Sequence, residues 1–533
     1  MAQQPATAPS ETEAPDSAAP MTHRQIMEAL SGLLLGLFVA ILSSTVVSNA
    51  LPRIVTDLHG SQSAYTWVVT ATLLATTVST PIWGKLADLT SKKLLIQLSL
   101  AVFIAGSALA GLSHNTGMLI SCRVVQGLGA GGLTALAQVI LATMIPPRER
   151  GKYNGYLGAV MAIGTIGGPL LGGVIVDTSW LGWRWCFYVG VPFAVAALIV
   201  LQRTLKLPVV RREVTVDYLG SVLVSAAVSL LLIWVSLAGS SFAWGSWQTA
   251  AMVGGAVLLA VLFVLVELRA AEPIIPMHLF RERTVTLSVV ASLAVGTAMF
   301  GATVFLSQYY QISRGKSPTI SGVMTLPMIA GLFLSSTVVG RLITATGRWK
   351  RYLLIGGALL TVGFALMGTV RADTSLVLLG VYMFLVGTGV GMTMQNLVLA
   401  VQNTVPMHEL GAASSVVAFF RTMGGAIGVS ALGAVLGAHV KTYTADGLTA
   451  LGVTTGGGSG SLPDVHTLPA PIARVVESAY GHASGDIFLI AAPIALLSLV
   501  AMAFIKEVPL RTAQSPEQPT EEKAAAASTA AQG

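Results

Sequence analysis

Apolar residues along this 533-residue chain gather into runs of about 17 to 25, the length a helix needs to cross about 30 Å of hydrocarbon. Fourteen such runs fall at about 26–50, 64–83, 94–112, 117–145, 153–176, 186–203, 218–238, 247–267, 286–311, 319–340, 352–370, 374–404, 412–437 and 486–505. Short polar turns separate most of them, and a Gly/Ser/Trp stretch at 239–247 divides the seventh from the eighth. The pattern predicts an all-α polytopic membrane protein. Residues 1–25 and 507–533, rich in Ala, Pro, Ser, Thr and acids, are expected to be disordered tails. The first of them lacks the basic start of a secretory signal.

An internal repeat organises these spans. At an offset of 260 residues, Gly127, Gly129 and Gly131 match Gly387, Gly389 and Gly391. Pro146, Glu149 and Gly151 then match Pro406, Glu409 and Gly411, and Gly164 and Gly168 match Gly424 and Gly428. The simplest arrangement is two parallel six-helix halves, 26–204 and 286–506, with an inserted helix pair and its loops at 205–285. Residues 438–485, which contain Gly456-Gly457-Gly458-Ser459-Gly460, read as a flexible outer loop in which His466 and His482 are solvated.

Composition narrows the class. Charged residues make up 10% of the chain against roughly 25% in a soluble domain, which excludes an ordinary soluble enzyme. The net charge of +7 lies in boundary loops, so it reads as a topology signal and not as a nucleic-acid surface. Of the 30 Lys and Arg residues, 21 fall on the side of the two termini, which predicts both termini in the cytoplasm. Cys122 and Cys186 lack metal-ligand spacing, and no G-x-x-x-x-G-K-[ST] loop occurs, so neither a metal, a nucleotide nor another cofactor is expected. No paired carboxylate, zinc ligand set or Ser/His constellation within the spans supports an intramembrane enzyme.

Four motifs bear on function. Span two closes on Gly84-Lys85-Leu86-Ala87-Asp88-Leu89-Thr90-Ser91-Lys92-Lys93, where Gly84 permits close helix approach and Asp88 can cap the next helix or pair with a base. In span four, Arg123-Val124-Val125-Gln126-Gly127-Leu128-Gly129 places an arginine within the bilayer, where it needs an interior partner or must reach back to the near interface. Span five carries Gly164-Thr165-Ile166-Gly167-Gly168-Pro169-Leu170-Leu171-Gly172-Gly173. Its glycines at four-residue spacing make a close-packing stripe, and Pro169 permits a bend. The runs Trp67-Val68-Val69-Thr70, Trp183-Arg184-Trp185, Asp217-Tyr218-Leu219-Gly220 and Gln308-Tyr309-Tyr310-Gln311 lie near span ends, where Trp and Tyr anchor to interfaces.

From Ile26 to Lys506 these motifs resemble the major facilitator superfamily, specifically its fourteen-span drug:proton antiporter branch. The resemblance implies a secondary exporter of hydrophobic or amphiphilic small molecules, driven by protons through alternating access. It assigns gating to Gly84, Asp88 and Lys92, with Ser91 in place of a second glycine, and to Gly164, Gly168, Pro169, Gly172 and Gly173. It associates Arg123 with proton coupling. The Ala/Gly/Val-rich composition fits a bacterial inner membrane.

One departure affects mechanism. Where many relatives carry an acid in span one, this chain reads Leu42-Ser43-Ser44-Thr45-Val46-Val47, and serine at Ser43 cannot titrate. Proton coupling then falls to Asp57, Asp88 or Asp177, with Arg123 tuning or replacing the missing charge. A neutral face here disfavours dications and favours neutral, monocationic or anionic amphiphiles. By analogy with parallel-repeat transporters, Ser43, Thr45, Asn49, Thr70, Gln138, Gln308, Tyr309, Gln395, Asn396 and Arg421 are candidates for a midplane substrate cavity. Each can equally serve as a helix–helix hydrogen bond. Rival readings are a lipid or glycolipid exporter on the same fold, and a membrane scaffold or sensor that would leave the antiporter motifs without a purpose.

Overall fold

The computed structural model describes residues 23–58, 62–145, 147–178, 180–205, 217–238, 242–270, 273–316, 318–452 and 469–510. The first half comprises α1 (His23–Asp57), α2 (Gln62–Leu89), α3 (Lys92–Gly111), α4 (Thr116–Met144), α5 (Pro147–Asp177), the single turn α6 (Trp185–Tyr188) and α7 (Gly190–Thr204). The inserted pair is α8 (Tyr218–Leu237) and α9 (Trp247–Glu267). The second half comprises α10 (Arg283–Gln308), α11 (Pro318–Met324), α12 (Leu326–Thr346), α13 (Lys350–Met367), α14 (Leu376–Thr404), α15 (Leu410–Ala450) and α16 (Ala470–Phe504). Among the described residues there is no strand, only an isolated bridge between Ala238 and Phe242.

In hydrocarbon every backbone donor and acceptor must be satisfied locally, so an apolar run of this length becomes a helix. Polar residues at the turns set where several helices begin. Asn115, Asp217 and Ser246 accept from the amides of Met118, Gly220 and Thr249. Gly347, at φ +69°, adopts the left-handed conformation that ends α12. Among the described residues twelve stretches are long and apolar enough to cross a membrane. The remaining two expected spans are α2 and α8; α8 offers the shorter apolar stretch Leu219–Val235, and α2 is rich in threonine. Those threonines do not break α2, because Thr72, Thr77 and Thr80 return their hydroxyls to the carbonyls of Val68, Leu73 and Thr76.

The cores separate by half. Two apolar clusters draw only on residues between Ile26 and Leu205, and a third only on residues between Ala291 and Leu510. A fourth, with Ala142, Val228, Phe263, Val289, Val398 and Phe419, joins the inserted pair to both halves.

The repeat has a physical counterpart. The 260-residue offset carries both ends of α4 onto the ends of α14, and each helix has 29 residues. A Cβ on Gly129 would run into α3 at Ser99 and Phe103, and one on Gly389 would run into α13 at Gly356 and Leu360. Thr45 on α1 donates to the carbonyl of Gly164 at 3.1 Å, and Thr297 on α10 donates to that of Gly424 at 2.8 Å. Gly168 and Gly428 leave room for the same two threonines. Thr45→Val and Thr297→Val are each expected to cost about 1 kcal/mol, the usual scale of an interhelical hydrogen bond in a membrane. Thermal unfolding in detergent checks this, and unchanged midpoints for both would remove these bonds from the account of stability.

Several expectations need correction. The outer loop at 438–485 is largely helical, since α15 continues to Ala450 and α16 begins at Ala470. Its glycine run and His466 lie outside the described residues. His482 lies on α16 with its ring against the Ser478 carbonyl at 3.0 Å. The N-cap of α3 is Ser91, which accepts from the Leu94 amide, while α2 continues through Leu89. Span ten is two helices, α11 and α12, and Tyr309–Ser313 forms a wider π turn after α10.

Candidate transport path between the halves

The two halves meet where α2 packs on α15 and α5 packs on α12, with α4 beside α15. At the first contact Gly84 has no room for a side chain. A Cβ there would collide with Ser415 and stand 3.0 Å from the Gly411 carbonyl. At the second, a Cβ on Gly158 would be 2.5 Å from the Ser336 hydroxyl. Between them Gln138 Nε2 donates to Gln395 Oε1 at 2.8 Å, which joins α4 to α14. The first contact and the Gln138–Gln395 bond lie toward the helix ends next to the Gly84–Lys93 turn, and the Gly158–Ser336 contact lies near the middle of α5 and α12.

Among the described side chains, Gln138 and Gln395 are cavity candidates that the fold brings together across the halves. Others have different roles. Thr45 bonds α1 to α5 within the first half. Ser43 is fully buried with an unpartnered hydroxyl, and it faces α7, where a Cβ on Gly190 would be 2.6 Å from its Oγ. A longer acid at this position would press on α7. Tyr309 is fully buried and donates to the Arg371 carbonyl at 2.8 Å, so it ties the second half together. Gln308 keeps a shielded, unpartnered Oε1, and Asn396 bonds the Met392 carbonyl one turn back on its own helix. The side chains of Asn49 and Thr70 lie outside the described residues, as do those of Asp88, Asp177 and Pro169. Asp57 is exposed at the end of α1. Lys92 is half-buried at the start of α3. In the span-five motif Gly164, Gly168 and Gly172 abut α1 at Ile41, Thr45 and the Val46 carbonyl, and Gly173 is buried.

Two arginines stand out electrostatically. Arg123 is 3% exposed, so it does not reach back to an interface; its Nη1 donates to Gln126 Oε1 at 2.6 Å. Gln126 donates in turn to Ser107 at 2.9 Å, and Ser107 to the Phe187 carbonyl at 3.2 Å. This chain of bonds links α4, α3 and α6 while leaving Arg123 Nε unpartnered. Arg421 on α15 is 8% exposed with Nη1 unpartnered. Among the described residues neither guanidinium has a carboxylate at ion-pair distance. A buried cation without a counter-ion is costly unless something polar or anionic visits it.

Sequence reading missed two acidic sites. Asp486 falls inside α16, because that helix begins sixteen residues before the expected span, and it accepts from Tyr443 at 2.6 Å and lies 3.0 Å from His439. Glu267 is buried at the end of α9 near Asp217. An acid closing an otherwise apolar span was the available signal.

Two packed helical halves joined by glycine-mediated contacts, with a further helix pair, are the architecture of a membrane transporter. Residues 33–429 match the family described as the Major Facilitator Superfamily, and the chain belongs to it. It is 36% identical over 514 residues to an uncharacterized MFS-type transporter, Rv1877, of Mycobacterium tuberculosis, covering 95% of this chain and 73% of that one. It is 35% identical to the multidrug transporter protein MdtP of Bacillus subtilis, over 79% of this chain and 77% of the relative. The human organic anion transporter MFSD10 (TETRAN) shares the fold with a TM-score of 0.59 at 14% identity, covering 89% of this chain and 99% of that structure. This chain is accordingly a multi-pass membrane transporter.

Proposed function

We propose that this protein exports hydrophobic or amphiphilic small molecules, such as drugs or antibiotics, by proton-coupled antiport with alternating access. The observation that carries the reading is the close contact of Gly84 with Ser415 and the Gln138–Gln395 bond, placed between halves whose main cores are separate. The multidrug name of MdtP supports the cargo class, and the full Gly164–Gly173 motif supports export. In this reading α2 and α8 complete fourteen crossings, both termini are cytoplasmic, and the Gly84–Lys93 turn forms the inner gate of a bacterial plasma-membrane protein. Arg123 tunes proton binding, and the buried positive charge of Arg421 favours cargo without strong positive charge.

The test is efflux of a lipophilic fluorescent dye from cells expressing the protein, with and without a protonophore. Efflux abolished by the protonophore is the expected result. Normal membrane expression with no efflux of any dye would overturn the multidrug reading, and lipid accumulation in a deletion strain would replace it with lipid export.

A further inference from the structure

The inserted pair carries two carboxyl groups for which the transport path offers no role. Asp217 caps α8, its Oδ1 accepting from the Gly220 amide at 2.8 Å, while its Oδ2 is shielded from solvent with no hydrogen-bond partner. Glu267, 3% exposed at the end of α9, accepts at Oε1 from the Ile274 amide at 3.2 Å, and its Oε2 is likewise shielded and unpartnered. Both carboxyl groups close around Gly220. A Cβ there would be 3.0 Å from Glu267 Oε1 and would run into Asp217 Oδ2. α2 packs on α8, and among the described residues Lys85, near the end of α2, is the cation within electrostatic reach of Glu267. Lys85 adjoins Gly84, the residue that seats α2 on α15.

Holding the Ile274 amide requires only an acceptor, which a glutamine would supply. That role leaves two neighbouring acids, each with an idle oxygen away from water, unexplained. Like charges so placed repel, and the arrangement relaxes when one group takes a proton or when a cation is held close.

We propose that Asp217 and Glu267 form a proton-binding carboxyl pair that sets how tightly the foot of the α8–α9 hairpin holds α2 through Lys85, and so couples proton binding to the opening of the α2–α15 contact. The idea rests on the proton-coupled reading above and gives it a carrier in place of the acid missing at Ser43. With both groups ionised, the pair carries two negative charges and holds Lys85. Uptake of a proton from water forms one carboxyl O–H bond, lowers the negative charge by one and loosens that hold; release to water reverses it. By linkage, any movement that withdraws Lys85 raises the affinity of the pair for its proton.

Spin labels on Thr90→Cys and Leu268→Cys, both exposed positions, report the separation of α2 from the hairpin foot. The background is the full chain with Cys122 and Cys186 replaced by serine, reconstituted in lipid nanodiscs. Between about pH 5 and pH 9 the ratio of short to long distances is expected to change by about tenfold, the scale of a modest population shift. Glu267→Gln, which keeps the acceptor for Ile274, and Asp217→Asn, which keeps the cap, are each expected to abolish that response. A ratio independent of pH in the unmodified pair, or an unchanged response in Glu267→Gln, overturns the proposal. The readout needs no substrate, so the two readings fail separately. A pH response without proton-driven efflux sinks antiport alone; protonophore-sensitive efflux with an intact pH response in Glu267→Gln sinks the carboxyl pair alone.

Discussion

Gly84→Val is expected to abolish efflux while leaving the protein folded and inserted. The valine side chain would occupy the space of Ser415 and crowd the Gly411 carbonyl, and overpacking of this kind costs about 1–3 kcal/mol. That strain falls only on the conformation in which α2 seats on α15. At about 1.4 kcal/mol per factor of ten, the population shut at this end drops by roughly 10- to 100-fold. Labelling of Ser336→Cys, which faces Gly158 at the second contact, should then become correspondingly faster. Because the collision is chiefly with the Ser415 side chain, Ser415→Gly should partly restore efflux to Gly84→Ala, a coupling that a double-mutant cycle measures. Full efflux in Gly84→Val would show that this contact takes no part in the cycle.

Arg123→Ala should reduce efflux by roughly 10- to 100-fold. A hydrogen bond to a buried charged group is worth about 1.5–3 kcal/mol, and removing the guanidinium also strands the Gln126 carbonyl oxygen and loosens its link through Ser107 to α6. If the positive charge matters to coupling and not only to packing, Arg123→Lys should retain efflux while shifting its pH profile, whereas Gln126→Leu should lower stability more than coupling. Efflux by Arg123→Ala at the original rate and pH profile would remove this residue from the mechanism.

The helices, the repeat and the glycine stripes could be read in advance because their causes are local. Gly127, Gly129 and Gly131 announce close packing wherever they sit, and α3 and α2 supply the neighbours; the matching glycines of α14 meet α13 and α12 in the same way. The roles of polar side chains could not be read that way. Ser43 sits at the position expected to face the path, yet it packs on α7; Tyr309 was a candidate for the midplane cavity, yet it bonds a carbonyl within its own half. Asp486 was hidden for a different reason. The Gly/Ser-rich stretch before it outweighed the start of α16 in composition.

The sequence by itself determined the membrane-spanning helical architecture, the duplication and the family, since run length and backbone satisfaction in hydrocarbon depend on little else. Only the tertiary structure decided that Gln138 meets Gln395, that Gly84 admits Ser415 and that Asp217 and Glu267 share one site. In a membrane the outward and inward faces of a helix are similarly apolar, so hydrophobic pattern carries little information about helix rotation. Which polar groups meet is set by how helices distant in sequence turn toward one another as they pack.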